Sequence, residues 1–255
     1  MLRLAGFVVV LLAVVGAAAA QEKLAASATP VDKIKVLKDF RVELLYSVPK
    51  EKEGSWVSLC NGPQGTLIAC DQGGGLYRIT PPAHVGQVFN LPKEADSGQV
   101  ENLPHVEKIP VNIGQAQGLL WAFDSLYVVV NGNEYKRGLY RVTDTNGDGE
   151  LDNVTLLREL VGRAGEHGPH AVVAHPDGKS LVVLHGNQTP ITEISGSRVP
   201  RVWGEDHLLP RMPDGRGFMA GVLGPGGAIY KVDPEGKNWE LLCVGFRNEY
   251  DMAFN

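Results

Sequence analysis

The sequence predicts an all-β fold, an incomplete β-propeller of about three blades plus the first strand of a fourth. Two observations predict it. Glycine and proline are frequent, with 31 and 16 residues, and no long run of helix-forming residues occurs in the body of the chain. One order of strands and turns also occurs three times. A small repeated sheet that cannot cover both of its faces alone is typical of a propeller, and a β-sandwich built from the same hairpins is the alternative.

The three copies begin near Ser55, Ala116 and Pro169. Each is expected to contain an inner strand, a middle strand after a tight turn, a strand that carries a tyrosine, and an outer strand. The tyrosines are Tyr77, Tyr140 and Tyr230. Their uneven spacing excludes a tight repeat of the WD40 kind.

The first twenty residues differ from the rest. "MLRLAGFVVVLLAVVGAAAA" has one early Arg, a short apolar run and an Ala-rich end, which predicts a signal peptide over 1–20 and a secreted or periplasmic protein. An uncleaved membrane anchor is the alternative. Residues 21–35 are expected to be a flexible lead-in, and 36–255 the N-terminal part of the propeller domain. Of the three cysteines, Cys60 and Cys70 flank one turn and either pair or, with Cys243, remain in the core.

The last residues, "GFRNEYDMAFN", have the composition of a loop that leads into an inner strand. We expect "YDMAFN" to be that strand in a fourth module. Since a closed ring needs at least four blades, the chain is expected to be part of a longer protein. The alternative is that residues 251–255 pair with the first module and close a small ring.

A calcium-binding loop is predicted at "DTNGDGELD", residues 144–152. Calcium takes six to eight oxygen ligands, and the spacing of acidic and amide residues followed by glycine resembles that of calcium loops. The expected ligands are Asp144, Asn146, Asp148, the Glu150 carbonyl and Asp152. Strands flank the loop, so its role is expected to be structural. A metal-free turn rich in Asp, Asn and Gly is the alternative.

Two further segments carry residues suited to chemistry. "GEHGPHAVV" contains His167 and His170 in the loop before the third inner strand, and "GFRN" contains Arg247 and Asn248 in the corresponding later loop. Such loops meet at the mouth of a propeller channel, where a histidine base and an arginine that binds an anion would form a site. The alternative is that these side chains only hydrogen-bond their own loops.

The segments "EHGPHAVVAHPDGKSLVVLHGN" and "GFRN" resemble bacterial exported proteins described as membrane-bound dehydrogenases, which are similar to soluble quinoprotein glucose and sorbosone dehydrogenases. The resemblance implies a six-bladed propeller that holds pyrroloquinoline quinone (PQQ) with calcium. It implies His167, nine residues before Pro176, as base, and Arg247 and Asn248 as quinone contacts, with His170 beside them. The Gly-Pro-His that follows Glu166 and His167 differs from the quinoprotein pattern.

The function that this resemblance implies is oxidation of a sugar or alcohol by hydride transfer to the quinone, with a cytochrome c as electron acceptor. The chain itself has no C-x-x-C-H motif. The alternatives are a non-catalytic, calcium-stabilised propeller that binds carbohydrate or a protein, and a propeller lactonase. A net charge of −5 without a basic stripe argues against nucleic acid as a partner. The insertion Ile194–Gly227 is expected either to cover the channel mouth or to form a surface flap, and its candidate wall residues are Trp203, Asp206, His207 and Arg211.

Overall fold

The computed structural model describes residues 29–30, 33–38, 40, 42, 44–82, 104–200, 220, 222 and 224–255. The predicted signal peptide, most of the predicted lead-in, and the insertion residues Trp203, Asp206, His207 and Arg211 lie outside the described residues. The chain divides into two compact units, one of residues 1–52 and 81–104 and the other of residues 53–80 and 105–255. A helical turn, α1 (Lys50–Glu53), spans the boundary, and every described strand lies in the second unit.

The strands form three sheets, which are taken here in chain order. The first sheet consists of β1 (Trp56–Asn61), β2 (Leu67–Asp71), β3 (Leu76–Thr80) and β4 (His105–Lys108). The second consists of β5 (Ala116–Ala122), β6 (Ser125–Val130), β7 (Gly138–Thr143) and β8 (Asn153–Glu159). The third contains β9 (Pro169–Ala174), β10 (Leu181–His185), β11 (Gly196–Ser197), β12 (Gly227–Val232) and β13 (Trp239–Phe246).

The prediction of an all-β chain with repeated four-stranded modules is confirmed. Each sheet contains four consecutive antiparallel strands, in the third sheet β9, β10, β12 and β13. The predicted tyrosines Tyr77, Tyr140 and Tyr230 lie on the third of these strands in each case. The third sheet differs by one short strand, because β11 from the insertion pairs in parallel with the outer edge of β13.

Tight turns connect the first two strands of each sheet, as their sequences predict. In the second sheet, Phe123 and Asp124 alone connect β5 to β6, and both have positive φ angles, 51° and 50°. A two-residue turn of this hand matches the twist of the strands it joins. In the third sheet, the turn "HPDGKS" closes with a hydrogen bond from the His175 amide to the Ser180 carbonyl, 2.9 Å long.

The second sheet is buried on both faces. Side chains alternate between the faces of a strand, and along β6 the residues Leu126, Val128 and Val130 belong to a core shared with the first sheet. The intervening Tyr127 and Val129 belong to a core shared with the third sheet. All five are fully buried, so β6 packs against a neighbouring sheet on each side.

The first strands of the sheets lie side by side. β5 contacts β1, and β9 contacts β5. The approach of β9 is close: a Cβ atom added to Gly118 of β5 would lie 2.3 Å from the backbone oxygen of His170 and 2.8 Å from Cα of Ala171. Glycine at position 118 therefore permits contact between the two backbones.

The prediction that "YDMAFN" forms a strand is wrong, because residues 250–255 pair with no other described strand, including those of the first module. The segment nevertheless runs along β9. Tyr250 packs on His170 with ring centroids 4.5 Å apart, and Phe254 packs on His175 at 5.5 Å. The segment therefore runs beside β9 in the same direction, from Tyr250 near His170 to Phe254 near His175.

The three cysteines are free. Cys60 lies opposite Ile68 and Cys70 opposite Ser58, so the two cysteines are diagonal neighbours on one face of the β1–β2 pair. Cys70 contacts the Ala116 carbonyl at 3.3 Å. Burial raises the pKa of both Cys60 and Cys70 to about 12, so their thiols are protonated core groups.

Candidate functional site

The same backbone hydrogen bond occurs in all three sheets, at the end where the first strand begins and the second strand finishes. We call the loop before the first strand of each sheet its leading loop. The residue just before the first strand accepts a hydrogen bond from the amide of the residue just after the second strand. The bonds run from Gln72 to Ser55, from Asn131 to Gln115 and from Gly186 to Gly168, with lengths of 2.8, 3.0 and 3.0 Å. The three leading loops are therefore built on one backbone arrangement.

His167 occupies a position that is glycine in the other two leading loops. Two residues before the first strand, the first sheet has Gly54, the second has Gly114 and the third has His167. A Cβ atom at Gly54 would lie 2.3 Å from the Asp71 carboxylate, and one at Gly114 would lie 2.4 Å from the Gly74 carbonyl. Only the third leading loop has room for a side chain here, and that side chain is only 1% exposed.

Hydrogen bonds on both ring nitrogens fix the orientation of His167. Nδ1 lies 2.6 Å from Oδ1 of Asn187, and Nε2 lies 3.3 Å from Nη1 of Arg247. Because a guanidinium can only donate, Nε2 is the acceptor, and Nδ1–H donates to Asn187. The backbone of His167 is held as well, since its amide donates to Oε1 of Gln188 at 3.0 Å and its carbonyl accepts from the Gln188 amide at 3.0 Å.

Arg247 reaches His167 from a position 80 residues later in the chain. The Asn187 amide donates to the Arg247 carbonyl at 3.0 Å, which holds this part of the backbone against the loop after β10. Gly186 permits the approach, because a Cβ atom there would lie 2.7 Å from the His167 carbonyl oxygen and 3.0 Å from that of Arg247. The structure thus brings together His167 and Arg247, two of the predicted site residues.

His170 lies beside them but faces its own loop. Its Nε2–H donates to the Glu166 carbonyl, and its ring is 3% exposed beneath the exposed ring of Tyr250. Burial lowers the pKa of His170, and the hydrogen bonds with the Glu166 carbonyl and the Asn248 side chain oppose that shift. Asn248 is itself exposed. His170 is therefore a buried ring, and its burial favours the uncharged form.

Sequence reasoning missed one residue of this site, Asn187, and one buried carboxyl group nearby in the sequence, that of Glu249. Asn187, which holds the His167 ring, follows β10 in "VVLHGN", and the similar "VVVNGN" follows β6; this shared ending was the available signal. Glu249 lies two residues after Arg247. Both of its carboxyl oxygens are buried without a hydrogen-bond partner, near Gly227, and burial raises its pKa to about 7. No sequence signal separates this glutamate from an exposed one.

The predicted calcium loop connects β7 to β8, as expected from its flanks. Asp144 organises it by accepting hydrogen bonds from the amides of Asn146, Gly147 and Gly149. These bonds, with that from Gly149 first, lower the pKa of Asp144. The carboxylate is therefore ionised at neutral pH.

The other predicted ligands make contacts of their own. Asp148 accepts from the Asn146 side chain at 3.0 Å, and both carboxylate oxygens of Asp152 accept from Thr145. Glu150 pairs with Arg78 of the first sheet at 2.6 Å, and the same guanidinium donates to the Gly149 carbonyl at 3.0 Å. The loop is thereby attached to the neighbouring sheet. Within the described residues, no three His, Cys, Asp or Glu side chains are grouped as metal ligands.

The described part of the chain contains no helix long and apolar enough to span a membrane. Comparison of the chain with models of known protein families and with curated proteins found no match.

Proposed function

We propose that the three sheets are successive blades of a β-propeller. The double burial of β6, the contacts of β5 with β1 and of β9 with β5, and the recurring leading-loop hydrogen bond support this arrangement. The contacts of Tyr250 and Phe254 with His170 and His175 also support it, since they place the segment after β13 beside β9, as β9 lies beside β5. The leading loops would then face a common axis.

We further propose that the protein is an exported, quinoprotein-like dehydrogenase that oxidises a sugar or alcohol. The observation that carries this proposal is the 3.3 Å contact between Nη1 of Arg247 and Nε2 of His167 across 80 residues. This contact places a cation next to a proton acceptor at the end of the sheets where the leading loops lie. The proposed reaction class is taken from the resemblance of the surrounding segments to quinoprotein dehydrogenases.

The polar groups at this edge suit a quinone with carboxylate and carbonyl oxygens. Arg247 and Asn248 are both exposed there, and both carry N–H donors. We assign them to hold PQQ, which when bound would supply the acceptor for the substrate hydride. This assignment rests on the donor chemistry of the two exposed side chains.

His167 would act as the base. Asn187 keeps the proton on Nδ1, so the lone pair of Nε2 is the one available to a substrate hydroxyl. Nε2 accepts from Arg247 in this structure. Arg247 must therefore move off Nε2 before the hydroxyl proton can be transferred there. The exposed position of Arg247 permits this movement, and the buried position of His167 excludes water from the base.

The test is PQQ-dependent dye reduction by the purified protein with calcium, over a panel of aldoses and alcohols. His167→Ala is expected to lower kcat by about 10² to 10⁴, the usual range for a general base. Arg247→Ala is expected to weaken PQQ binding about tenfold or more, as for loss of a charge-assisted hydrogen bond. His105→Ala, which removes an exposed histidine at the start of β4, is the matched control. PQQ that neither binds nor supports turnover would contradict the proposal.

A non-catalytic propeller that binds carbohydrate or protein at this edge is the second candidate. The observation that favours it is that His167 is 1% exposed with both ring nitrogens engaged. Binding of an aldose that is weakened by Arg247→Ala but accompanied by no turnover would support this candidate over the dehydrogenase.

The Asp144–Asp152 loop is proposed to bind calcium in a structural role. Its carboxylate and amide oxygens are the donors that calcium prefers, and Asp144 is ionised. Asp152 at present accepts two hydrogen bonds from Thr145. Calcium is expected to raise the melting temperature of the wild type and of Asp124→Asn, an aspartate in the β5–β6 turn, but not of Asp148→Asn. An equal response of all three proteins would contradict this site.

A further inference from the structure

Glu249 places a carboxyl group where the described residues offer it no partner. Its side chain is half-buried, but solvent reaches neither carboxyl oxygen, and neither oxygen has a hydrogen-bond partner. The backbone at the start of β12 is close, since a Cβ atom added to Gly227 would lie 2.4 Å from each oxygen. Burial raises the pKa of this carboxyl group to about 7, against a smaller opposite effect of the Glu249 amide. An ionised carboxylate here lacks both water and a donor, which costs free energy.

The titratable groups that face this carboxyl group carry no positive charge. They are the Cys243 thiol of β13 and the Tyr230 hydroxyl of β12. Burial raises the pKa of both groups, and the charge of Glu249 adds to the shift. The Tyr230 hydroxyl is also engaged already, because it lies 2.9 Å from Nε2 of His185 and accepts from the Thr192 amide at 3.3 Å. Neither group therefore stabilises an ionised Glu249.

The segment that carries Glu249 lies outside the sheets. Residues 247–255 form no strand, and such segments open more readily than paired strands do. Two of the hydrogen bonds that hold the segment are made by Arg247. Its carbonyl accepts from the Asn187 amide at 3.0 Å, and its Nη1 donates to Nε2 of His167 at 3.3 Å. Glu249 follows Arg247 by two residues, so a movement that brings the carboxyl group to water pulls on both bonds.

We propose that Glu249 is a pH-sensitive switch that sets whether Arg247 contacts His167. When protonated, the carboxyl group stays buried and Arg247 stays on Nε2 of His167. When ionised, it moves to water and draws Arg247 away, which frees Nε2. The contact is a feature of the structure, so the proposal does not require the dehydrogenase reaction. If that reaction occurs, release of Arg247 is the movement that exposes the base.

Release is favoured as the pH rises. The buried carboxyl group of Glu249 has a pKa of about 7, whereas the ordinary value in water is 4.5. Between these two values, release is coupled to the loss of one proton, so the released fraction rises about tenfold per pH unit. Above pH 7 both arrangements are ionised, and the effect levels off.

The experiment is hydrogen exchange of the Asn187 amide between pH 5 and pH 7, since this amide donates to the Arg247 carbonyl. Exchange is catalysed by hydroxide, so the logarithm of its rate ordinarily rises with pH with a slope of about 1. Coupled release adds a second proton, and we expect a slope of about 2 in the wild type. The Asn131 amide, which donates to the Gln115 carbonyl of the second leading loop, is expected to keep a slope of about 1.

Glu249→Gln keeps the shape of the protonated side chain but cannot ionise. The slope at Asn187 is expected to fall to about 1 in this variant. Glu249→Met, which is similar in length and uncharged, is expected to give the same slope and covers the case in which the glutamine variant does not fold. Glu166→Gln is the matched control, because Glu166 is an exposed carboxylate next to His167. It is expected to keep the slope of about 2.

Three results would overturn the proposal. A slope of about 1 at Asn187 in the wild type would show that Glu249 ionises without releasing Arg247. A slope of about 2 that survives in Glu249→Gln would assign the titration to another group, such as His167 or His170. A slope of about 2 at Asn131 as well would show that the whole protein opens rather than this segment.

Discussion

The second and third sheets carry the same leading-loop backbone but use their polar side chains differently. In the second sheet, Asn131 donates to the Gly165 carbonyl at 2.7 Å, and Gln115 accepts from the Glu134 amide at 2.9 Å. Both side chains thus satisfy loop backbone. In the third sheet, His167 and Arg247 bond to each other. The comparison teaches that Gln115 and Asn131 hold neighbouring loops, one of them the third leading loop, whereas the third leading loop adds a contact between two side chains, His167 and Arg247.

The largest change in stability is expected when a side chain is added at Gly186. Gly186→Ala places a methyl group 2.7 Å from the His167 carbonyl oxygen and 3.0 Å from that of Arg247, so these backbones must separate. We expect a loss of about 1 to 3 kcal/mol in the free energy of unfolding, as for other overpacked positions. Chemical denaturation measures it.

Gly73→Ala is the matched control for this substitution. Gly73 follows β2, and an added Cβ there meets nothing within 4 Å. A change within about 0.5 kcal/mol is expected, as for a surface substitution without special contacts. If both alanine variants were equally stable, the close approach of Arg247 to the third leading loop would be wrong.

The next effect concerns the hydrogen bonds between Asn131 and Gly165. Asn131→Ala removes two hydrogen bonds with Gly165, one of them from the Gly165 amide at 3.3 Å. A loss of about 1 kcal/mol is expected, because the half-buried backbone of Gly165 then loses two hydrogen bonds. Hydrogen exchange of the Gly165 amide should accelerate, while that of Gln188 should not. An unchanged rate at the Gly165 amide would contradict the two bonds between Asn131 and the third leading loop.

A separate effect concerns pH. The pKa of Glu249 is raised from 4.5 to about 7 by burial. Between these values the folded protein holds a proton that the unfolded chain has lost, so the free energy of unfolding falls as pH rises through this window. Glu249→Gln should remove this part of the pH dependence and should exceed the wild type in stability above pH 7.

Glu166→Gln is the control for the pH experiment, because Glu166 lies on the same edge with an exposed side chain. Its stability should follow the wild type over the whole range. Parallel pH profiles for Glu249→Gln and the wild type would contradict the buried, unpartnered state of Glu249.

Much of the fold follows from local sequence pattern. Alternating apolar residues and tight turns specify the four-stranded antiparallel units and place Tyr77, Tyr140 and Tyr230 on equivalent strands. The strand predicted for residues 250–255 did not form, because a strand requires a partner for its backbone groups and pattern alone provides none. The pairing of β11 with β13 depends on where a long insertion returns, which no local pattern encodes.

The candidate site was predictable only in part. The leading loops of successive repeats were expected to meet, and the structure brings His167 and Arg247 into contact. Only the shared ending of "VVLHGN" and "VVVNGN" pointed to Asn187 as the partner of the His167 ring, because Asn187 acts through a loop conformation that depends on Gly186. The burial of Glu249 depends on packing near Gly227, which composition does not reveal.

The most direct test of the account is the protonation pattern of the His167 ring, read from its ¹⁵N resonances in the wild type and in Arg247→Ala. We expect Nδ1 to carry the proton in the wild type and Nε2 to act as the acceptor, with the Nε2 resonance moving when Arg247 is removed. A ring protonated at Nε2, or an Nε2 resonance unchanged in Arg247→Ala, would show that the two side chains do not meet and that the proposed site is wrong.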